Sequence, residues 1–309
     1  MTVQNNSENS AISNNAPDRL FHFDSKLTEK RIRRNNFFKV VFFLATAFAV
    51  MVLIILLYQI IRDGIGWISV RFLTGKLSIK PERAGIAGVI LGSFYLMLIV
   101  IPITTIIGVA TAIYLEEYSS KGRIQRIIKV NLSNLASVPS VIFGLLGLAV
   151  FGRLMNLGSS ILAGGLTMSL LVLPIVVVAS QEAIRAVPGF LREASYAMGA
   201  DKWTTVYRIV LPAALPGILT GIILAMSRAI GETAPLVVLG IPTLILKLST
   251  SIMDDFTALP IQIYYWTLDT VLVAEYANLA AATIIVLLVV LFLLNTTAIL
   301  IRNKFRQRY

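Results

Sequence analysis

The feature that most restricts this chain is a series of six long apolar runs, near residues 37–61, 86–114, 125–150, 161–180, 213–240 and 278–301, separated by segments that carry most of the charge. A helix needs about 20 apolar residues to cross the hydrocarbon core of a bilayer, and a backbone in lipid must satisfy its polar groups internally. The fold class that follows is an all-α integral membrane protein with six transmembrane helices. Composition agrees, with 57% hydrophobic and 14% charged residues, against about 25% charged in soluble domains. Several runs exceed the minimum and are expected to tilt, and Pro102, Pro139, Pro174 and Pro235 inside them predict kinks or local breaks.

The net charge of +11 does not indicate a nucleic-acid partner, because the 27 Lys and Arg flank apolar runs rather than forming a patch. Their distribution assigns sides. Seven lie in the N-terminal segment through Lys39, and four each near 115–130, near 181–211 and after Ile301. These belong inside, with both termini cytoplasmic. The 62–85 connection, with Arg62, Arg71, Lys76, Lys80 and Arg83, runs weakly against that assignment. Residues 1–36, rich in Asn, Ser and charge, are expected to form a disordered cytoplasmic tail that holds the single histidine, His22, in solvent; residues 37–309 form the membrane domain. The Phe37–Ile61 run is too long for a signal peptide and reads as a retained span. With no Cys in the chain, disulfides, thiolate metal sites and thiol catalysis are excluded. No metal or cofactor is expected.

Between the fourth and fifth runs, segment 188–212 is polar and charged. Its residues predict two short helices joined at a glycine. Pro188 suits a first helical turn, Gly199 can take the left-handed conformation that ends a helix, and Asp201 can cap a second helix stopped by Pro212. Phe190, Ala194 and Ala197 share one small apolar face, with Arg192 and Glu193 beside it. Such a helix fits a groove on a partner; it equally suits a solvated connector.

Arg228 and Glu232 are the charges well inside a predicted span. Each costs roughly 2.5 to 3.5 kcal/mol at a helix centre, so they should face protein or water and each other. Counted from Pro216, Arg228 lies about 18 Å along the helix, past the middle of a core of about 30 Å. Pro235 cannot donate to the Gly231 carbonyl, which frees an acceptor nearby. Two readings stand: a self-neutralising pair that orients the helix, or a place on a substrate path. Asn131, Ser133, Asn134, Ser137 and Ser140 add small polar groups around Pro139, suited to lining a path or to close helix packing. The acidic external segment 241–277 carries Tyr264-Tyr265-Trp266, readable as an interfacial anchor or as a surface for a binding protein.

The pattern Glu193-Ala194, then Gly199, Ile209, Leu211 and Pro212, resembles the coupling-loop signature of permease subunits of binding-protein-dependent ABC importers, with Ser195 in place of the second Ala. Ala112-Ile113-Tyr114-Leu115-Glu116-Glu117-Tyr118, Ser137-Val138-Pro139-Ser140-Val141-Ile142-Phe143-Gly144-Leu145 and Gly231-Glu232-Thr233-Ala234-Pro235-Leu236 resemble the PstA-type subunits of the phosphate permease. The resemblance covers about residues 60–301. It implies the type I ABC importer permease (MetI-like) fold in the inner membrane of a bacterium. It also implies Glu193, Ala194, Gly199, Ile209, Leu211 and Pro212 as the ATPase-coupling residues, and import of inorganic phosphate; the residues expected from their own chemistry to lie on the substrate path are Arg228, Glu232, Ser137 and Ser140. The implied partners are a homologous PstC-like permease, two PstB-like ATPase subunits and an extracytoplasmic PstS-like phosphate-binding protein. No G-x-x-x-x-G-K-[ST] loop occurs, so ATP hydrolysis falls to a partner and this chain is expected to perform no covalent chemistry. Another oxyanion importer, for sulfate, molybdate or phosphonate, is the alternative, and an ATPase-independent channel or secondary transporter is more distant.

Overall fold

The computed structural model describes residues 25–119, 122–245 and 251–304; most of the polar tail, residues 1–24 with His22, lies outside them. The chain divides into two units, Met1–Tyr58 and Gln59–Tyr309. Helix α1, Ser25–Gly64, begins inside the segment expected to be disordered. Leu27, Glu29, Lys30 and Arg31 are good helix formers, and extending an existing helix needs no new nucleus. Along the described part of the first unit α1 presents apolar side chains on every face, with Phe38 stacked on Phe42 at 6.3 Å.

In the second unit come α2 (Val70–Thr74), α3 (Ala87–Ile113) ending in a π-helical turn Tyr114–Tyr118, α4 (Arg123–Ser137), and α5 (Ser140–Gly147) continued by a wide turn Leu148–Leu154. Then follow α6 (Ile161–Arg185), α7 (Gly189–Ala197), α8 (Lys202–Thr205), a π-helical turn Val206–Val210, α9 (Leu211–Gly231), α10 (Ala234–Leu239), α11 (Leu259–Asp269) and α12 (Glu275–Lys304). Among the described residues five helices are long and apolar enough to cross a bilayer: Arg31–Trp67, Ala87–Tyr118, Ile161–Arg185, Lys202–Gly231 and Glu275–Lys304. The third expected span, 125–150, is instead a bent pair whose halves meet at 101°. The break falls where proline disfavours helical backbone in the residue before it, and Val138 is extended at φ −68°, ψ 133°. Pro102 and Pro174, by contrast, are carried inside α3 and α6.

Helix α6 is the centre of the unit, with α3 and α9 packed along it. Gly221 of α9 sits so close to α6 that an added Cβ would lie 2.3 Å from the Ala179 Cβ, the small-residue contact that lets membrane helices approach. A second core gathers Phe72, Trp266, Tyr276 and Leu279. Trp266, 3% exposed, lies 6.4 Å from the Phe72 ring and 6.5 Å from Tyr276, and the Tyr265 hydroxyl donates to the Ile241 carbonyl at 2.8 Å. Two of the three aromatic residues at 264–266 therefore build the core rather than an interfacial anchor.

The ends of α6 define two faces. At its start Ile161 and Leu162 donate backbone N–H groups to the Asp254 and Ile252 carbonyls at 3.1 and 3.0 Å. Its last residues lie about 37 Å away at 1.5 Å per residue, beside α7. Residues 251–256 and the 188–212 segment are thus on opposite faces of the spans.

Candidate functional site

At one site the short helices that follow two helix breaks, α5 and α10, pack together. Helix α9 is regular to Gly231; Glu232 is extended at φ −81°, ψ 124°, and Pro235, which has no N–H to continue the ladder, sits in the first turn of α10. Opposite it, α5 packs on α10 through Gly144. A Cβ there would lie 2.8 Å from the Pro235 Cα and 2.9 Å from its carbonyl oxygen. Gly144→Val must therefore push α5 and α10 apart against backbone, at a cost of about 1–3 kcal/mol. The expected result is a lowered unfolding temperature of the detergent-solubilised protein; an unchanged one would show that α5 and α10 are not tightly joined.

Arg228 is in the last turn of α9, so the expected mid-helix position is corrected: the helix runs continuously from Lys202 and ends three residues past Arg228. A cation there also meets the negative end of the helix dipole. Its Nε donates to Glu232 Oε1 at 3.1 Å, with 48% of the Arg228 side chain and 21% of the Glu232 side chain accessible. Among the described residues the two terminal Nη groups of Arg228 have no acceptor, which leaves a planar pair of donors for an oxyanion. Ser137 closes α4 exposed, and Ser140 opens α5 half-buried, on the helix that carries Gly144. Asn131 spends its amide on the Ile127 carbonyl at 2.8 Å.

A second site is built by 188–212. Gly199 is left-handed at φ +81°, and the Asp201 carboxylate caps α8 by accepting from the Thr204 N–H at 3.1 Å. The hydroxyl and N–H of Thr204 hold that carboxyl below the usual aspartate range. The cap is therefore complete above the ordinary carboxylate pKa and is lost only as pH falls through the lowered one. Pro212 does not stop the second helix as expected. The π-helical turn Val206–Val210 widens the backbone just before the ring, where a regular helix would set it against the Arg208 carbonyl, and the helix continues as a span. Ser195, the departure from the resembled pattern, hydrogen-bonds Thr205 hydroxyl to hydroxyl at 2.8 Å and ties α7 to α8.

The six coupling residues divide. Glu193, Ala194 and Gly199 are exposed, whereas Ile209, Leu211 and Pro212 are half-buried where the segment joins α9. The exposed surface also includes Phe190 (64%), Met198 (88%), Trp203 (64%) and Tyr207 (61%), the last two rings stacked at 6.3 Å. Sequence reasoning named Phe190 but missed the other three. It also missed what lies behind the helix: Arg192 turns inward, and its Nη2 donates to Glu117 Oε1 at 2.8 Å, with 8% of the Glu117 side chain accessible. Glu116 beside it accepts from Lys129, Gln181 and Arg185 at 3.1, 3.0 and 2.8 Å. Two adjacent glutamates closing an apolar run were the signal that could have found this cluster.

These two sites are joined by comparisons with known proteins. A family model described as binding-protein-dependent transport system inner membrane component matches residues 104–308. The chain belongs to that family. The permease is 33% identical over 278 residues to phosphate transport system permease protein PstA 1 of Mycobacterium tuberculosis (strain CDC 1551 / Oshkosh), covering 84% of this chain and 90% of the relative. It is 34% identical over 275 residues to PstA of Yersinia pestis, covering 88% and 91%. The probable ABC transporter permease protein YqgI of Bacillus subtilis is 36% identical over 195 residues, 63% of this permease and 66% of the relative. In fold it matches a chain of the MetNI methionine ABC transporter in an inward-facing conformation, with a TM-score of 0.57 at 16% identity over 72% of this chain and 96% of that one. The all-helical fold expected from the apolar runs is thus that of an ABC importer permease.

Proposed function

We propose that this permease is the PstA-type transmembrane subunit of an ATP-driven importer of inorganic phosphate. The observation that carries this reading is the match to PstA proteins over 84–88% of the chain, which runs through both sites. The exposed face of α7, with Phe190, Glu193, Ala194 and Gly199, serves as the docking helix for an ATPase subunit. The half-buried Ile209, Leu211 and Pro212 fix its exit into α9, so that displacement of the helix reaches the span bearing Arg228. The Arg228–Glu232 pair, with Ser137 and Ser140, lines this chain's half of the phosphate path. The other half comes from a PstC-like permease. Two PstB-like ATPase subunits and a PstS-like binding protein complete the complex in a bacterial inner membrane, with residues 1–36 on the cytoplasmic side.

Isolation in mild detergent tests the assembly: a nucleotide-binding subunit and a second permease should co-purify, and their absence would favour a channel or secondary transporter. Uptake of labelled phosphate against sulfate and molybdate tests the cargo. The orientation predicts that reporters fused after Asp201 and Lys304 read as cytoplasmic and one near Asp254 as external. An external Asp201 would remove the docking role of α7 altogether.

A further inference from the structure

The carboxylates of Glu116 and Glu117 are adjacent in sequence yet hold different elements. We infer that they form a relay carrying movement of the docking helix α7 to α4, the helix that ends at the Ser137 break; this rests on the importer reading above.

One arm is the Arg192 guanidinium. Its Nε and Nη2 donate to Glu117 Oε1 at 3.1 and 2.8 Å, Nη1 to the Val187 carbonyl at 2.8 Å, and Nη2 also to the Ile184 carbonyl at 3.0 Å. Helix α7 is thereby fixed to the inner ends of both α3 and α6. Lys202 of α8 adds a cation–π contact, its Nζ 5.1 Å from the Tyr118 ring centre. The other arm reaches α4. Glu116 accepts from Lys129, and the Leu115 carbonyl accepts from Gln125 at 2.7 Å, both donors on α4.

Glu116 and Glu117 lie in the π-helical turn Tyr114–Tyr118. Such wide turns recur where a helix must redirect side chains for function, and this one supplies one carboxylate to each arm. A cavity of about 600 Å³, lined by Glu116, Ser119, Gln125, Arg126, Lys129 and Arg185, opens beside the α4 arm. Among the described residues, α4 is joined at this end to the turn that follows α3 by directed polar bonds from Gln125 and Lys129. Such bonds can be remade in a second discrete arrangement, as switching between two states requires. The far end of α4 is Ser137, at the break whose other side packs on α10 beside Glu232. A displacement of α7 thus has a route through Glu117, Glu116 and α4 to the break before α5, the helix that packs on α10 at Gly144 and Pro235.

The test uses the intact complex in proteoliposomes, comparing uptake with ATP hydrolysis for phosphate and, in parallel, sulfate. Glu117→Gln and Glu116→Gln keep the side-chain shape and remove the charge. Each is expected to lower uptake per ATP hydrolysed about tenfold while hydrolysis continues, the size of an ordinary coupling between sites. Lys129→Gln, on the more exposed α4 arm, should lower the same ratio. In the otherwise unaltered complex, spin labels at Met198 and at Ile127 of α4 should change their separation on binding a non-hydrolysable ATP analogue. An unchanged uptake-to-hydrolysis ratio in all three variants, or a fixed label separation, overturns the relay. So does a parallel fall of uptake and hydrolysis caused by loss of the ATPase subunit, which would make the cluster a structural clamp. A cargo other than phosphate appears instead as uptake of sulfate and leaves the ratio to decide the relay.

Discussion

Arg228→Gln is expected to abolish phosphate uptake while the complex still assembles. Arginine stays charged when desolvated and presents a planar fork of donors matched to phosphate oxygens. In this chain Nε is spent on Glu232 while the terminal nitrogens keep no acceptor among the described residues. Glutamine preserves most of the side chain's reach and removes the charge. The loss should be on the order of a hundredfold, the effect of deleting one preorganised donor aimed at an anion. Glu232→Gln should act differently. Phosphate near neutral pH carries a P–OH group that an ionised carboxylate can accept, whereas sulfate has no such donor and is only repelled, and unpaired polar groups discriminate strongly between analogues. The amide should therefore weaken rejection of sulfate. The binding protein also selects, so this is read in a variant complex that transports without it. Full uptake by Arg228→Gln would leave the pair as a device that neutralises two charges at a helix end.

The second large effect is expected at the docking helix. Gly199→Val places a β-branched residue at φ +81°, a conformation that costs non-glycine residues about 1–3 kcal/mol. Avoiding that strain rotates α7 against α8. Glu193→Lys reverses a charge on the exposed face and disturbs complementarity with the ATPase without touching the inner cluster. Both variants should reach the membrane, bind the second permease and lose most ATP-driven uptake, while the ATPase subunit dissociates or turns over unproductively. Co-purification and the ratio of uptake to hydrolysis separate these outcomes. Normal uptake in both would reduce segment 188–212 to a connector.

Much of segment 188–212 was legible because its chemistry is local. A glycine that must turn left-handed and an aspartate that caps the next helix act within a few residues, and both take the expected geometry at Gly199 and Asp201. The Arg228–Glu232 pairing was legible for the same reason, being one helical turn apart. Arg192 was placed beside the apolar face of α7, and nothing in its neighbours revealed that it points inward. Its partner is 75 residues earlier in the chain. Trp266 read as an interfacial anchor or as part of a surface for a binding protein, because its ring suits either exposed setting; Phe72 and Tyr276, distant in sequence, bury it instead.

By itself the sequence determined the membrane-spanning class and the apolar runs. Hydrocarbon burial is set by composition over about 20 residues, and lipid leaves the backbone few alternatives to helix. Only the tertiary structure decided where those helices break and what the breaks face. The weak helix point before Pro139 becomes a 101° bend, while Pro102 and Pro174 stay within continuous helices. Proline removes one hydrogen bond in each case. Whether the helix opens there depends on the packing and polar partners that neighbouring helices supply, and those are contacts between residues far apart in the chain.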